Sequence, residues 1–137
     1  MRQEVYALAS SVGGVIVLQS TPHIFQVYQQ CSFLISTSLF EPFGLVIPEA
    51  MSCGLPVVAF DCPYGPADII TDGVDGFLIK QRDVNFFSQR VCQLIESHDL
   101  RVQMGQNGII SSRRYNTSDI MSRWIQLFEQ LTSFRNR

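Results

Sequence analysis

The sequence predicts an α/β fold built on an open parallel sheet with helices on both faces. Three observations carry this. Residues 32–36 (S-F-L-I-S) and 56–61 (P-V-V-A-F-D) have continuous rather than alternating apolar centres, as strands do when helices cover both faces of their sheet. The segment between them has helix signals and stops at a glycine, which gives a strand–helix–strand order suited to parallel pairing. The chain of 137 residues is 46% hydrophobic and 16% charged, enough for one domain with a real core.

Taken in order, residues 13–19 (G-G-V-I-V-L-Q) read as a first strand. Ser20-Thr21-Pro22 reads as a cap followed by proline in the first turn of a helix running to about Gln30. After the strand at 32–36, a helix starts near Gly44 or Leu45. Pro48 is tolerated there because the first N–H groups of a helix have no internal partner. Gly54 suits the left-handed position that ends this helix. After the strand at 56–61, C-P-Y-G-P (62–66) makes a fixed turn, and Asp72-Gly73 and Asp75-Gly76 are turn dipeptides before a short strand at 76–79. Asp83 caps a helix with Val84, Phe87, Val91, Leu94 and Ile95 on one face. Thr117 or Ser118 caps another with Ile120, Trp124, Leu127, Phe128 and Leu131 aligned, and aromatic stripes at that spacing are usually core.

The stretch from Glu41 to Glu49, E-P-F-G-L-V-I-P-E, carries the most chemistry. A helix opening near Gly44 presents unpaired N–H groups and the positive end of its dipole, together a site for phosphate. Carboxylates beside a phosphate repel it unless they face something neutral, and hydroxyl groups are the natural neutral partners. Glu41 and Glu49 therefore make sense if the phosphate belongs to a nucleotide-sugar, with a hexose on one side and a ribose on the other. Each glutamate alone reads equally as a solvated charge, and their pairing carries the assignment. In open α/β sheets, ligands bind at the carboxyl edge of the strands, where this loop falls.

This stretch resembles the E-x7-E signature of retaining glycosyltransferases of family 4, and F-D-C-P-Y-G-P-A-D-I-I-T-D-G-V-D-G-F-L-I is similar to the segment that follows it in that family. The resemblance runs from about Val12 to the last helix, and its nearest flavour is bacterial capsular and surface-polysaccharide enzymes, many of which use UDP-hexoses. It implies the truncated C-terminal, Rossmann-like half of a B-type glycosyltransferase, the half that holds the donor. On this resemblance Glu41 lies against the donor sugar hydroxyls as the catalytic-site carboxylate. The N–H groups of Phe43, Gly44 and Leu45 meet sugar and diphosphate, and Glu49 accepts from the ribose diol. Tyr64, Gly65 and Pro66 are candidates for one wall of the site, with a rigid turn that touches no ligand as the alternative. The chain departs from the family at Asp68, where glutamate is common. Residues 19–23 correspond to a loop near the base, so the uridine assignment rests on resemblance alone.

The resemblance also implies what lies outside this chain. Between Arg2 and Lys80 there is no lysine or arginine. Family members stabilise the departing diphosphate with an arginine and a lysine from the early part of the same domain, and developing charge needs such donors. Residues 1–137 are thus expected to be one partial nucleotide-sugar-binding domain, without the acceptor domain or the first strands, and inactive alone. In the order 3-2-1-4-5-6 the run at 13–19 corresponds to the third strand. It is expected either to pair directly with residues 32–36 or to leave an open edge that recruits another chain. The last helix is expected to cross toward the absent domain, leaving an exposed apolar patch as its footprint.

Other chemistries are poorly supplied. There is no D-x-D, G-x-S-x-G or Walker lysine, so no metal or other cofactor is expected. His23 and His98 stand apart from ligand partners and read as capping or surface residues. A glycosidase pair of carboxylates is defined by distance in space and has no other support in the sequence. The net charge of −2 argues against nonspecific nucleic-acid binding. Apolar runs fall short of a membrane span and the first ten residues lack a signal-peptide core, so a cytoplasmic location is expected. Arg113 and Arg114 form a basic spot, ordinarily solvated surface, that also suits peripheral contact with anionic lipid at the inner membrane face. Cys31, Cys53, Cys62 and Cys92 form no C-x-x-C and read as reduced thiols. Two functions stay open: hexosyl transfer from a UDP-hexose to a glycan or lipid-linked acceptor, with this chain as the donor half; and a non-catalytic nucleotide-sugar-binding or association module.

Overall fold

In the computed structural model, which describes residues 2–135, helix α1 (Arg2–Val12) leads into an irregular stretch and the short helix α2 (Ile24–Tyr28). Strand β1 (Leu34–Ser36), helix α3 (Val46–Ser52) and strand β2 (Val57–Phe60) follow. Next come the one-turn helix α4 (Pro66–Ile69) and strand β3 (Gly76–Ile79). A 3-10 turn (Lys80–Arg82) then leads to α5 (Val84–Glu96) and α6 (His98–Ser112), and a second (Arg113–Tyr115) leads to α7 (Thr117–Arg135).

The three strands form one parallel sheet in the order β1-β2-β3, with Leu34 beside Val57 and Val57 beside Gly76. All four residues of β2 are buried, as its unbroken apolar run predicts. Its side chains alternate between two cores. Val57 and Ala59 join Ile47, Ala50 and Met51 of α3 on one side. Val58 and Phe60 join Phe77, Phe87, Leu94 and Met104 on the other, with Phe60 and Phe87 rings 4.6 Å apart.

Several expectations are corrected. Residues 13–19 form no strand: Ile16 is 82% exposed, and this segment has no ladder partner among the described residues. Extended backbone with no neighbour to take its N–H and C=O groups gains nothing from strand geometry. It therefore does not pair with β1, whose outer edge is open among the described residues. The strands are shorter than read from sequence, 34–36 rather than 32–36 and 57–60 rather than 56–61. Helix α2 starts after His23, not at Pro22: Thr21 Oγ1 accepts from the His23 N–H at 3.1 Å, an ordered turn that delays the helix.

Asp83 caps α5 as predicted, accepting from the Phe86 N–H at 3.0 Å. Phe87 and Leu94 are buried, but Val84 and Ile95 are 65% and 61% exposed. Ile95 is one residue, about 100°, around the helix from Leu94, and Val84 lies in the first turn. Asn116, rather than Thr117 or Ser118, caps α7, its Oδ1 accepting from the Ser118 N–H at 3.4 Å. The α7 stripe is not core. Trp124, Phe128 and Leu131 are about half exposed, with the first two rings stacked at 5.7 Å, so the patch expected on this helix is present. No helix among the described residues is long and apolar enough to cross a membrane.

Helix α6 carries no apolar stripe; it packs through small residues. A Cβ at Gly105 would sit 2.1 Å from the Gly54 carbonyl oxygen at the end of α3, so only glycine permits this approach. The basic pair resolves differently from its sequence reading. Arg114 donates to the carbonyls of Asp68, at 3.0 Å, and Ile69, which ties it to the end of α4.

Asp75, read from sequence as half of a turn dipeptide, is fully buried. Its Oδ1 accepts from the Thr71 N–H at 2.7 Å and its Oδ2 from the Ser111 hydroxyl at 2.6 Å, tying the approach to β3 onto α6. Bonds to a buried carboxylate are the strong kind, and removing Asp75 takes this partner from both the Thr71 N–H and the Ser111 hydroxyl and leaves the space of its side chain unfilled. Asp75→Ala is therefore expected to cost roughly 2–4 kcal/mol of stability, read as a lower urea midpoint. A midpoint within error of the parent would show these bonds to be dispensable.

Candidate functional site

Because β1 and β2 are parallel, they end at the same sheet edge, and the loops that leave them meet there. Glu41, half-buried in the first loop, accepts from Ser38 Oγ at 2.6 Å. Its Cβ and Cγ pack beside Gly44, each 3.8 Å from where a Cβ on that glycine would stand. Helix α3 starts at Val46 with Leu45 as its N-cap, one or two residues later than the Gly44 or Leu45 start read from sequence. Pro48 is the third helical residue, where its missing N–H costs nothing. Among the described residues, no hydrogen bond within the chain uses the N–H of Phe43, Gly44 or Leu45. With seven residues, α3 has only a modest dipole, so these free donors are the main attraction for an anion.

Glu49 stands at the end of the first turn of α3 and is half-buried. The phenol of Tyr28 donates to its Oε2 at 3.2 Å. The Tyr28 hydroxyl is pushed up to about 12, first by burial, then by the Glu49 charge and the hydrogen bond to it.

The loop after β2 closes on this site. A Cβ on Gly65 would lie 2.2 Å from the Phe43 carbonyl oxygen, and φ there is +81°, so the second loop rests directly on the backbone of the first. Tyr64, with φ of +66°, meets Phe40 edge to face at 6.0 Å. Tyr64 is 69% exposed, whereas Gly65 and Pro66 are buried, so Tyr64 alone of these three presents a side-chain surface. Phe43 meets the Tyr115 ring edge to face at 5.4 Å, and the Tyr115 hydroxyl donates to the Asp68 carbonyl at 3.1 Å.

A cavity of about 520 Å³ opens along α3, lined among others by Phe25, Phe43, Leu45, Glu49, Arg113 and Tyr115. Phe43, Leu45 and Glu49 thus share one cavity, while Glu41, Gly44, Tyr64, Gly65 and Pro66 belong to the loop cluster beside it. Among the described residues, no group of three or more His, Cys, Asp or Glu is placed to hold a metal ion. His98 is exposed, 3.7 Å from Asp99, and His23 is exposed at the N-cap of α2. The four cysteines are free, Cys31 and Cys92 exposed.

Residues 2–110 match the family model described as glycosyl transferases group 1. The chain belongs to this family. It is 38% identical over 98 residues to the poly(ribitol-phosphate) alpha-N-acetylglucosaminyltransferase of Staphylococcus aureus (strain COL), covering 69% of this chain and 20% of that protein. A mutant of S. aureus TarM, solved in complex with fondaparinux, alpha-GlcNAc-glycerol and UDP, superposes with a TM-score of 0.84 at 28% identity, covering 93% of this chain and 27% of that one. Anabaena HepE in complex with UDP gives a TM-score of 0.81 at 30% identity over 96% of this chain and 36% of that one. The chain therefore spans well under half the length of each of these relatives, and its fold is part of the B-type glycosyltransferase architecture.

Sequence reasoning found the two motif glutamates but missed the hydroxyl groups that hold them. Ser38 was within reach of inspection, three residues before Glu41, the spacing at which a serine hydroxyl bonds locally. Tyr28 lies far away in sequence from Glu49 and carries no local signal, and neither does Tyr115, whose ring meets Phe43.

Two outcomes follow. Tyr28 binds its proton more tightly in the folded state, so its contribution to stability is complete below about pH 10 and is lost as pH rises through about 12. Urea titrations across that window should show a steeper alkaline loss for the parent than for Tyr28→Phe, and parallel curves would remove the assignment. Gly65→Ala should lose roughly 1–3 kcal/mol from backbone strain alone, read by the same titration, and a wild-type midpoint would mean that the loops separate freely.

Proposed function

We propose that this chain is the donor-binding half of a retaining hexosyltransferase that uses a UDP-hexose without a metal ion and transfers to a glycan or lipid-linked acceptor held by a domain outside it. One observation carries the reading: three unengaged N–H groups, of Phe43, Gly44 and Leu45, lie along the chain between two half-buried carboxylates, Glu41 and Glu49. Donors in the middle suit a diphosphate, and acceptors on either side suit the hydroxyls of the two sugars that flank it. In this reading Glu41 faces the hexose at the reacting centre and Glu49 accepts from the ribose diol. Tyr64 supplies the exposed wall. UDP in the complexes of TarM and HepE supports the nucleotide. Retention is supported by the alpha linkage in the name of the S. aureus relative, since transfer from an α-linked donor to an alpha product keeps configuration. The absence of a D-x-D supports a site that does not rely on a metal-bound diphosphate.

Calorimetric titration with UDP, ADP and GDP tests this. UDP should bind saturably and in preference to the purine nucleotides. Glu49→Ala should weaken it by about tenfold to a hundredfold, the worth of hydrogen bonds to a charged acceptor. An unchanged affinity in that variant would remove Glu49 from the site.

A further inference from the structure

We infer that Tyr28 is a positioning residue, holding one oxygen of the Glu49 carboxylate so that the other is presented to a sugar diol. The inference rests on the donor reading of Glu49 given above and adds a residue from outside the motif to it.

Tyr28 closes α2 and is 5% exposed, packed into the core cluster that contains Ile47, Ala50 and Met51. Volume alone does not explain a tyrosine there, since phenylalanine fills the same space without a hydroxyl to satisfy. Among the described residues the hydroxyl has one hydrogen-bond partner, Glu49 Oε2, 21 residues away in sequence at 3.2 Å. The ring is held from the side by Phe25, edge to face at 6.0 Å, and Phe25 lines the same cavity as Glu49. The donor is therefore fixed by the core and its acceptor is not. Glu49 has three side-chain torsions and is only half-buried, so a free carboxylate would spread over several rotamers and pay for ordering when a ligand arrives. One clamped oxygen removes much of that spread. A carboxylate has about four acceptor positions, so the clamp leaves ample capacity for two ribose hydroxyls. The phenol also remains protonated through neutral pH, which keeps the bond oriented in one sense. Glu41 is treated in the same way, one oxygen taken by Ser38 at 2.6 Å, but from within its own loop.

The test is a binding cycle on the full chain with parent, Tyr28→Phe, Glu49→Ala and the double variant, each titrated with UDP and with 2′,3′-dideoxy-UDP. Tyr28→Phe should bind UDP roughly three- to tenfold more weakly, the net worth of one hydrogen bond. The double variant should bind no more weakly than Glu49→Ala, because Tyr28 acts through that carboxylate. For dideoxy-UDP, which lacks the diol, Tyr28→Phe and parent should agree. A merely structural tyrosine would weaken both ligands alike, and that outcome overturns the inference. So does a Tyr28→Phe variant that binds UDP like the parent while Glu49→Ala binds weakly, which leaves the donor reading standing. Absence of UDP binding in the folded parent overturns the donor reading and the inference with it.

Discussion

Everything at the site depends on β2 being buried on both faces. Four consecutive apolar residues, 57–60, face two different cores in alternation, so neither α3 nor α5 can shift without exposing one of them. Fully burying each of its Val and Phe side chains is worth about 1.5–3 kcal/mol, which makes the register of the sheet the least negotiable feature of the chain. Parallel pairing on both sides then follows, and with it the placement of three strand ends at one edge. The loops that carry Glu41 and Tyr64 are where they are because the strand ends are.

From that edge outward, contacts between backbones take over. Gly65 lies against the carbonyl of Phe43, and Gly105 against that of Gly54, so the two ends of the α3 segment are pinned by approaches that no side chain could make. Aromatic edges add a second set of fasteners, Phe40 on Tyr64 and Phe43 on Tyr115. The Phe43-Gly44-Leu45 backbone is thereby held from both sides while its N–H groups stay unengaged. A loop rigid in this way pays little ordering cost when a ligand binds, which is the condition for uncharged N–H donors to hold an anion usefully.

What was legible in the sequence was whatever a hydrophobic or polar pattern encodes locally. The runs of β1 and β2, Gly54 at the end of α3, Asp83 before α5 and the E-x7-E spacing all express themselves within a few residues. Helix α6 did not, because its buried face is made of Met104, Gly105, Gly108 and Ser112, small or mixed residues that leave no apolar period. The run at 13–19 failed in the opposite way. Its composition is that of a strand, yet a strand is a relation between two segments, and composition says nothing about whether the second is beside it. The same limit hid Asp75, whose carboxylate is bonded by Ser111, and Tyr28, whose hydroxyl is bonded to Glu49. In each case the deciding partner is more than twenty residues away.

The distribution of charge completes the physical picture. The motif contributes two carboxylates and no cation, because no lysine or arginine occurs between Arg2 and Lys80. Arg114 is spent on the carbonyls at the end of α4, which leaves Arg113 as the cation lining the α3 cavity. Such a site is well supplied with acceptors for hydroxyls and poorly supplied with charge for a diphosphate. Ground-state recognition of sugars and stabilisation of a departing phosphate are different tasks, and only interactions that strengthen in the transition state accelerate a reaction. On the proposed donor reading, the geometry in this chain serves the first task. Neutralising a leaving diphosphate would require cations presented to Phe43-Gly44-Leu45 from outside the segment that carries the two glutamates, and the open side of that loop is where they would have to enter.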